Sequence, residues 1–364
     1  MHIDELDTPA VVINLDVMER NMSRLAVYCR QHGLRLRPHT KTHKIPELAR
    51  KQLENGATGI TVAKVGEAEV MADFGIKDIL VAYPIVTSEK ARRLAAVAEK
   101  ACITVSLDSE EAALALSRQA QERGVRINIL VEVDVGLHRC GVRDEHAALD
   151  LANAILNCKG LDLAGVMYYP GQLLTKPSQQ LAQMGPINDL LKRTLEAFDL
   201  ACLPVKVVSG GSTPTAYNSH LFHGITEIRP GMYLFNDRNM VGAEVAALED
   251  CALSVLVTVV STAVSGRAIV DGGSKTFSSD RFLTGNGVGF GLVKEDSKTV
   301  FEWMSEEHGH LNIEASERKY RVGERLSIVP NHVCTTINMH REVYGARAGQ
   351  VEEVWKVAAQ GKIR

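Results

Sequence analysis

The 364-residue chain is expected to fold as an α/β protein: a (β/α)8 barrel followed by a separate β domain. Two features of the residue order predict this. Up to about residue 245, eight short apolar, β-branched runs alternate with amphipathic helical patterns, which implies parallel strands and a closed barrel. From Ala246 the rhythm changes to runs rich in Val, Leu and Ser, separated by Gly, Asp and Ser turns. An open doubly wound sheet is the alternative, but no Gly-x-Gly-x-x-Gly turn follows the first strand.

After Thr8-Pro9, residues 10–15 read as a short strand, followed by a helical pattern to about His32 with apolar Met18, Met22, Leu25 and Val27. The eight barrel strands are expected at 34–38, 59–63, 79–83, 103–107, 127–133, 163–169, 205–209 and 226–228. Helices are expected between them at 45–54, 65–74, 88–99, 109–123, 145–156 and 177–200. Gly33, Gly56, Gly75 and Gly124 each stand between a helix and the next strand, where a helix C-terminus favours the left-handed conformation. Later strands are expected at 252–260, 267–270, 287–292 and 325–329. The domains expected are therefore a barrel over 16–245 and a β domain made of 1–15 plus 246–364, with a packed junction near 245.

A net charge of −3 with well-mixed signs gives no basic footprint for nucleic acid and no polybasic membrane patch, which points to a small-molecule partner. Seven cysteines, scattered without C-x-x-C spacing, suit reduced thiols in a cytoplasm. The N-terminus lacks an apolar signal core, and the apolar run over 251–264 is too short to span a bilayer as a helix.

Barrel sites sit at the C-terminal ends of the strands. The first strand ends in Arg37-Pro38-His39-Thr40-Lys41-Thr42-His43-Lys44. Strand alternation would place Arg35, Arg37, His39 and Lys41 on one face. An amine packed beside a guanidinium disfavours its protonated form, so Lys41 is the candidate Schiff-base nucleophile, against the plainer reading of a solvated basic loop. The seventh strand runs into Ser209-Gly210-Gly211-Ser212-Thr213-Pro214-Thr215, and the eighth into Arg229-Pro230-Gly231-Met232-Tyr233. Glycines there let backbone amides approach an anion, and barrels of this type commonly bind phosphate at these two loops. Asp134-Val135-Gly136-Leu137-His138-Arg139-Cys140-Gly141 after the fifth strand offers a charged side chain, and Tyr168-Tyr169-Pro170-Gly171 after the sixth offers hydroxyls or simple packing. In Pro330-Asn331-His332-Val333-Cys334, an extended chain would put imidazole and thiol on one face. That pair suits zinc, although a buried thiol beside a satisfied histidine has the same spacing.

These segments, with Ser305-Glu306-Glu307-His308-Gly309, together resemble the D-threonine aldolase and D-serine dehydratase family nearly end to end. The resemblance implies an alanine-racemase-type barrel of pyridoxal-phosphate fold type III, a C-terminal β domain and a divalent metal. It implies that Lys41 carries the cofactor, with His39 beside it, Arg139 facing the ring and Tyr169 lining the pocket. Ser209, Gly211, Ser212, Thr213, Gly231, Met232 and Tyr233 would surround the phosphate. His332 and Cys334 would bind the metal, zinc being favoured over manganese or magnesium, and Glu306 and His308 would be neighbours of the site. Relatives also form head-to-tail homodimers. Aldolases of the family tend to show His-x-Asp at the metal and D-serine dehydratases His-x-Cys, as here. Several relatives have Tyr-His-Gly where this chain has Tyr169-Pro170-Gly171.

The expected activity is dehydration and deamination of a β-hydroxy D-amino acid, such as D-serine or D-threonine, to a 2-oxo acid and ammonia. Retro-aldol cleavage to glycine and an aldehyde is the alternative within the family. A non-catalytic pyridoxal-phosphate carrier is the alternative outside it. Lys41→Ala is predicted to abolish turnover together with the visible absorption of the lysine-bound cofactor, and retained turnover would refute the nucleophile assignment.

Overall fold

The computed structural model describes residues 1–284 and 287–364. Contacts divide the chain into two compact units. One comprises Met1–Ser23, Thr42–Ile45 and Met232–Gln360, and the other Arg24–Lys41, Pro46–Gly231 and Gly361–Arg364. In chain order the first elements are β1 (Ala10–Asn14), α1 (Leu15–Gln31), β2 (Arg35–Leu36), α2 (Pro46–Glu54), β3 (Ile60–Val62), α3 (Val65–Asp73), β4 (Asp78–Val81) and α4 (Ser88–Ala98). They continue with β5 (Cys102–Leu107), α5 (Glu110–Arg123), β6 (Ile127–Val133), α6 (Glu145–Leu156), β7 (Leu161–Tyr168), α7 (Pro177–Leu200), β8 (Val207–Gly210) and β9 (Glu227–Ile228).

The second of these units holds an eight-stranded parallel sheet in the order β2-β9-β8-β7-β6-β5-β4-β3. It closes on itself through Thr61 N–H to Pro38 O, 2.8 Å, and a parallel bridge between His39 and Thr61. The expected (β/α)8 barrel is therefore present, with strands β2 to β9 in all eight expected places. α6 and α7 have the expected bounds, and Gly33, Gly56, Gly75 and Gly124 all take positive φ. Burial explains the apolar runs: Ile79, Ile103, Ile129, Val131 and Val166 all lie in one hydrophobic core. β2 and β9 are each two residues long because Pro38 and Pro230 follow closely and lack the N–H that a longer ladder needs.

One expectation fails. The alternation of Arg37, His39 and Lys41 ends where Thr40–Thr42 turns into a 3-10 helix, and Arg37 points to a carboxylate partner at each side instead of standing beside the amine. Its Nε donates to Glu227 Oε2 at 2.7 Å and its Nη1 to Asp78 Oδ1 at 2.6 Å. Two carboxylates compensate a nearly buried guanidinium better than a lysine could, since burial penalises unpaired charge. The same polar thread continues along the barrel: Ser209 Oγ donates to Glu227 Oε1 (2.7 Å), Arg229 Nη1 to Ser209 Oγ (2.7 Å) and Arg229 Nη2 to the Tyr168 carbonyl (2.9 Å).

The remaining elements are α8 (Arg238–Gly242), β10 (Leu253–Ser261), β11 (Arg267–Val270), α9 (Ser274–Phe277), β12 (Gly291–Val293), β13 (Val300–Met304), β14 (Gly309–Asn312), β15 (Arg325–Pro330), α10 (Val333–Met339), β16 (Glu342–Arg347) and β17 (Gln350–Lys356). Among the described residues they form with β1 a nine-stranded sheet, β11-β14-β13-β12-β15-β10-β1-β16-β17. An added β10–β11 pairing bends the sheet into a barrel-like ring. β1 lies antiparallel to β10 and parallel to β16. Among the described residues no helix is long and apolar enough to cross a membrane.

Arg37→Ala would strand the Glu227 carboxylate, whose side chain is 1% exposed, and should cost about 3–5 kcal/mol, read as a fall in the urea-unfolding midpoint. An unchanged midpoint would show that the pair contributes nothing.

Candidate active site

A cavity of about 330 Å³ opens within the barrel unit at the C-terminal ends of its strands. It is lined by His39 and Lys41 after β2, Ala63 after β3, Ala82 and Tyr83 after β4, Glu132 on β6, Arg139 and Cys140 in the following loop, Met167 and Tyr169 at the end of β7, Gly211 after β8 and Arg229 after β9. Four of the expected site residues thus meet at one place with Lys41: His39, Arg139, Tyr169 and Gly211.

Lys41 sits exposed in the turn after β2, a position fixed by Thr40 Oγ1 donating to Thr61 O at 3.1 Å. His39 is tied by its own N–H to Pro230 O (3.0 Å), and its Nδ1 accepts the Lys41 backbone N–H (3.4 Å). Packing around the ring, followed by the positive charges of Lys41, Arg229 and Arg139, holds its imidazole well below the ordinary histidine range, so His39 is neutral. Glu132 accepts from Ser106 Oγ at 3.1 Å. Burial pushes its carboxyl up, opposed by Arg229. Arg229 is itself lowered by burial, against the pull of Glu227 and Glu132.

The loop that presents Arg139 is folded around Asp134, whose Oδ1 accepts the N–H groups of Gly136 and His138 at 3.0 Å each. Gly141, at φ 112°, is required there, because a Cβ would lie 2.5 Å from the Asp134 nitrogen. Arg139 Cζ lies 4.9 Å from the centroid of the Tyr169 ring, a cation–π contact. Beyond β8, Gly211 adopts φ 75°, and Ser212 N–H donates to Thr215 Oγ1 at 3.0 Å. The buried Thr213 hydroxyl lacks a hydrogen-bond partner among the described residues. An orphaned hydroxyl in a glycine turn, an exposed amine and an arginine suit an anionic aldehyde cofactor such as pyridoxal phosphate. Ser209 is buried in the polar thread and does not line the cavity. Gly231 closes the barrel unit, while Met232 and buried Tyr233 open a 3-10 turn that belongs to the β unit.

In the β unit, His332 and Cys334 do not share one extended face. His332 is the extended N-cap of α10 (φ −141°, ψ 112°) and Cys334 is already helical. The strand stops at Pro330 and the helix begins at once. His332 Nδ1 lies 3.3 Å from Asp237 Oδ2, and the Cys334 thiol donates to Thr42 Oγ1 at 3.3 Å. Thr42 directly follows Lys41 in the chain. Burial alone would lower the His332 imidazole, but Cys334 and Asp237 outweigh it and raise it to about 11. Among the described residues no group of three or more His, Cys, Asp or Glu side chains is arranged for a metal. An imidazole and a thiol nonetheless fit a divalent ion that keeps open positions for water or substrate. Glu306 and His308 are exposed in the turn between β13 and β14, closed by Ser305 N–H to His308 O at 2.9 Å.

With the geometry in place, comparison with known proteins decides the family. Residues 13–239 match the alanine racemase N-terminal domain, and residues 252–346 match a serine dehydratase domain. The chain belongs to the alanine racemase N-terminal domain family and carries a D-serine dehydratase-type second domain. It is 33% identical to 3-hydroxy-D-aspartate aldolase of Paracoccus denitrificans, over 100% of this chain and 94% of that protein. The crystal structure of D-threonine aldolase from Filomicrobium marinum superposes with a TM-score of 0.94 at 32% identity, over 100% of this chain and 98% of the other. A D-threo-3-hydroxyaspartate dehydratase variant in its metal-free form superposes with a TM-score of 0.91 at 34% identity, over 98% of both chains.

Two charged residues lining the cavity, Glu132 and Arg229, escaped sequence reasoning. Glu132 had a visible signal, a lone carboxylate inside the buried run Ile127–Val133. Arg229 stood within a recognised segment, but only the fold shows it lining the cavity.

His39 generates a pH prediction. Its folded-state value lies below its unfolded one, so the folded chain binds fewer protons between the two, and stability is lost as pH falls from about 6.5 toward the lowered value, by up to about 1.4 kcal/mol per pH unit. His39→Gln should therefore flatten the fall in the urea midpoint of cofactor-free protein between about pH 7 and pH 5. Parallel curves for the two proteins would contradict the assignment.

Proposed function

We propose that this chain is a pyridoxal-phosphate- and divalent-metal-dependent lyase for β-hydroxy D-amino acids, and that its main reaction is dehydration and deamination to a 2-oxo acid and ammonia. The observation that carries this reading is the exposed Lys41 amine in a cavity shared with Arg139, Tyr169 and Gly211, in a chain that also holds the His332–Cys334 pair. When bound, the cofactor supplies an electron sink for the substrate α-carbon, and the metal supplies Lewis-acid polarisation of the β-hydroxyl.

The chain's own residues do the rest. Lys41 Nζ would hold the cofactor through its aldehyde group, and the same amine would serve as the base for the substrate α-proton. His39 stays neutral beside it and so adds no charge that would oppose binding of the cationic substrate amine. Thr213, Ser212 and Gly211 receive the phosphate, while Arg139, in contact with Tyr169, offers its guanidinium to an oxygen of the cofactor ring or to the substrate carboxylate. Gly231, Met232 and Tyr233 are assigned to the same phosphate, and Ser209 supports it through Arg229. His332 and Cys334 hold the metal, with Glu306 and His308 as outer neighbours. Net, Cα–H and Cβ–O break, water leaves, and hydrolysis of the resulting enamine releases ammonia.

Retro-aldol cleavage to glycine and an aldehyde is the second reading, favoured by the 33% identity to an aldolase. The His-x-Cys pair favours dehydration. Zinc is proposed as the metal from the donor pair, a homodimer from the family resemblance, and a cytoplasmic setting from seven free cysteines.

Product analysis with D-serine, D-threonine and D-phenylserine tests the reading, and 2-oxo acid is expected. Glycine plus aldehyde without 2-oxo acid would make it an aldolase, and no turnover of any of them would refute this substrate range. Chelation should remove turnover while leaving the visible absorption of the cofactor intact. L-serine consumed as fast as D-serine would contradict the D-specific site.

A further inference from the structure

Asp237 is a fully buried carboxylate that the reaction does not use. It stands as N-cap of α8, where Oδ1 accepts Met240 N–H at 3.0 Å. Oδ2 accepts the N–H of Val333, the first residue of α10, at 3.2 Å, and lies 3.3 Å from His332 Nδ1. One buried anion thus joins the starts of two helices and faces one ring nitrogen of a proposed metal ligand.

The chemistry of that contact is directional. A carboxylate oxygen can only accept, so the Nδ1 facing it must carry a proton. In the neutral ring this leaves the lone pair on Nε2. Val333 N–H and Met240 N–H occupy further acceptor sites of the same group, so the carboxylate cannot swing to another partner without leaving two buried amides unpaired. The rotamer of His332 is therefore fixed by a residue 95 positions away in sequence.

We infer that Asp237 is the positioning residue of the metal centre: it keeps the proton of His332 on Nδ1 and presents Nε2 to the metal. The inference rests on the metal reading given above and extends it to a residue that does not touch the ion. Outer partners of this kind typically change metal affinity about 10–100-fold. A plain helix cap would instead change stability and leave metal affinity alone.

The test uses cofactor-loaded enzyme and zinc in a chelator-buffered titration. Asp237→Asn keeps an oxygen for Met240 N–H but turns an N–H group toward His332. Zinc affinity should fall about 10–100-fold. One equivalent should still bind at saturation, with the visible cofactor absorption and its reduction onto Lys41 by borohydride unchanged. Wild-type zinc affinity in this variant would overturn the inference while leaving the metal site standing. Absence of stoichiometric zinc in the unaltered enzyme would overturn both. If Asp237→Asn does not fold, the nitrogen-15 shifts of His332 in the zinc-loaded unaltered enzyme, identified against His332→Asn, decide the matter. A protonated Nδ1 with metal on Nε2 is expected, and metal on Nδ1 refutes the role of Asp237.

Discussion

The buried ion pair between Arg37 and Glu227 joins the two barrel strands that can least hold themselves together. β2 and β9 contribute two residues each to the ladder, with Arg35 opposite Glu227 and Leu36 opposite Ile228. Prolines just beyond both strands lack the N–H that a longer ladder would use, and beyond the paired residues the seam keeps the backbone bonds Arg37 N–H to Ile228 O (2.9 Å) and His39 N–H to Pro230 O (3.0 Å). A side-chain ion pair at 2.7 Å supplements this short seam, and the second carboxylate, Asp78, ties the same guanidinium to β4. The seam matters because Lys41 follows β2 and Gly231 follows β9. Replacing such a pair by apolar residues need not destabilise a protein, but removing one partner does, since the other charge remains buried.

From that seam the polar thread runs through Ser209 to Arg229, and so into the cavity. Positive side chains dominate there. Lys41, Arg139 and Arg229 line it with a single carboxylate, Glu132, whose ionisation is opposed by burial. Such an imbalance is costly for an empty cavity and favourable for one that receives a phosphate and a carboxylate. Burial first, and this field second, keep His39 neutral, so its Nδ1 accepts the Lys41 backbone N–H and the ring adds no further cation.

The β unit solves a different problem. His332 and Cys334 sit where strand β15 gives way to helix α10, and helix starts leave amides in need of an acceptor. Asp237 meets that need at α8 and α10 together. One buried carboxylate thus serves both helix starts and the His332 ring together. A glutamate at that position would lengthen the side chain against a packed surround, and an asparagine would reverse one hydrogen bond.

Sequence alone determined the local features: the eight strands, the helices between them, the left-handed glycines and the place of Lys41 just after the first strand. Each depends on a periodicity or spacing within some ten residues, where backbone sterics and one-sided burial leave a clear pattern. The weakest patterns were lost, as in β13, β16 and β17, which carry exposed charged residues, in the four-residue β14, and in α10, whose onset was read as extended chain. Tertiary structure decided where the charges go. Arg37 turns from the expected lysine to Glu227, Glu132 and Arg229 line the cavity together, and Asp237 reaches His332 across 95 residues. Nothing in local order specifies these partners, because the cost of burying a charge is settled by whichever opposite group the fold brings within hydrogen-bonding reach.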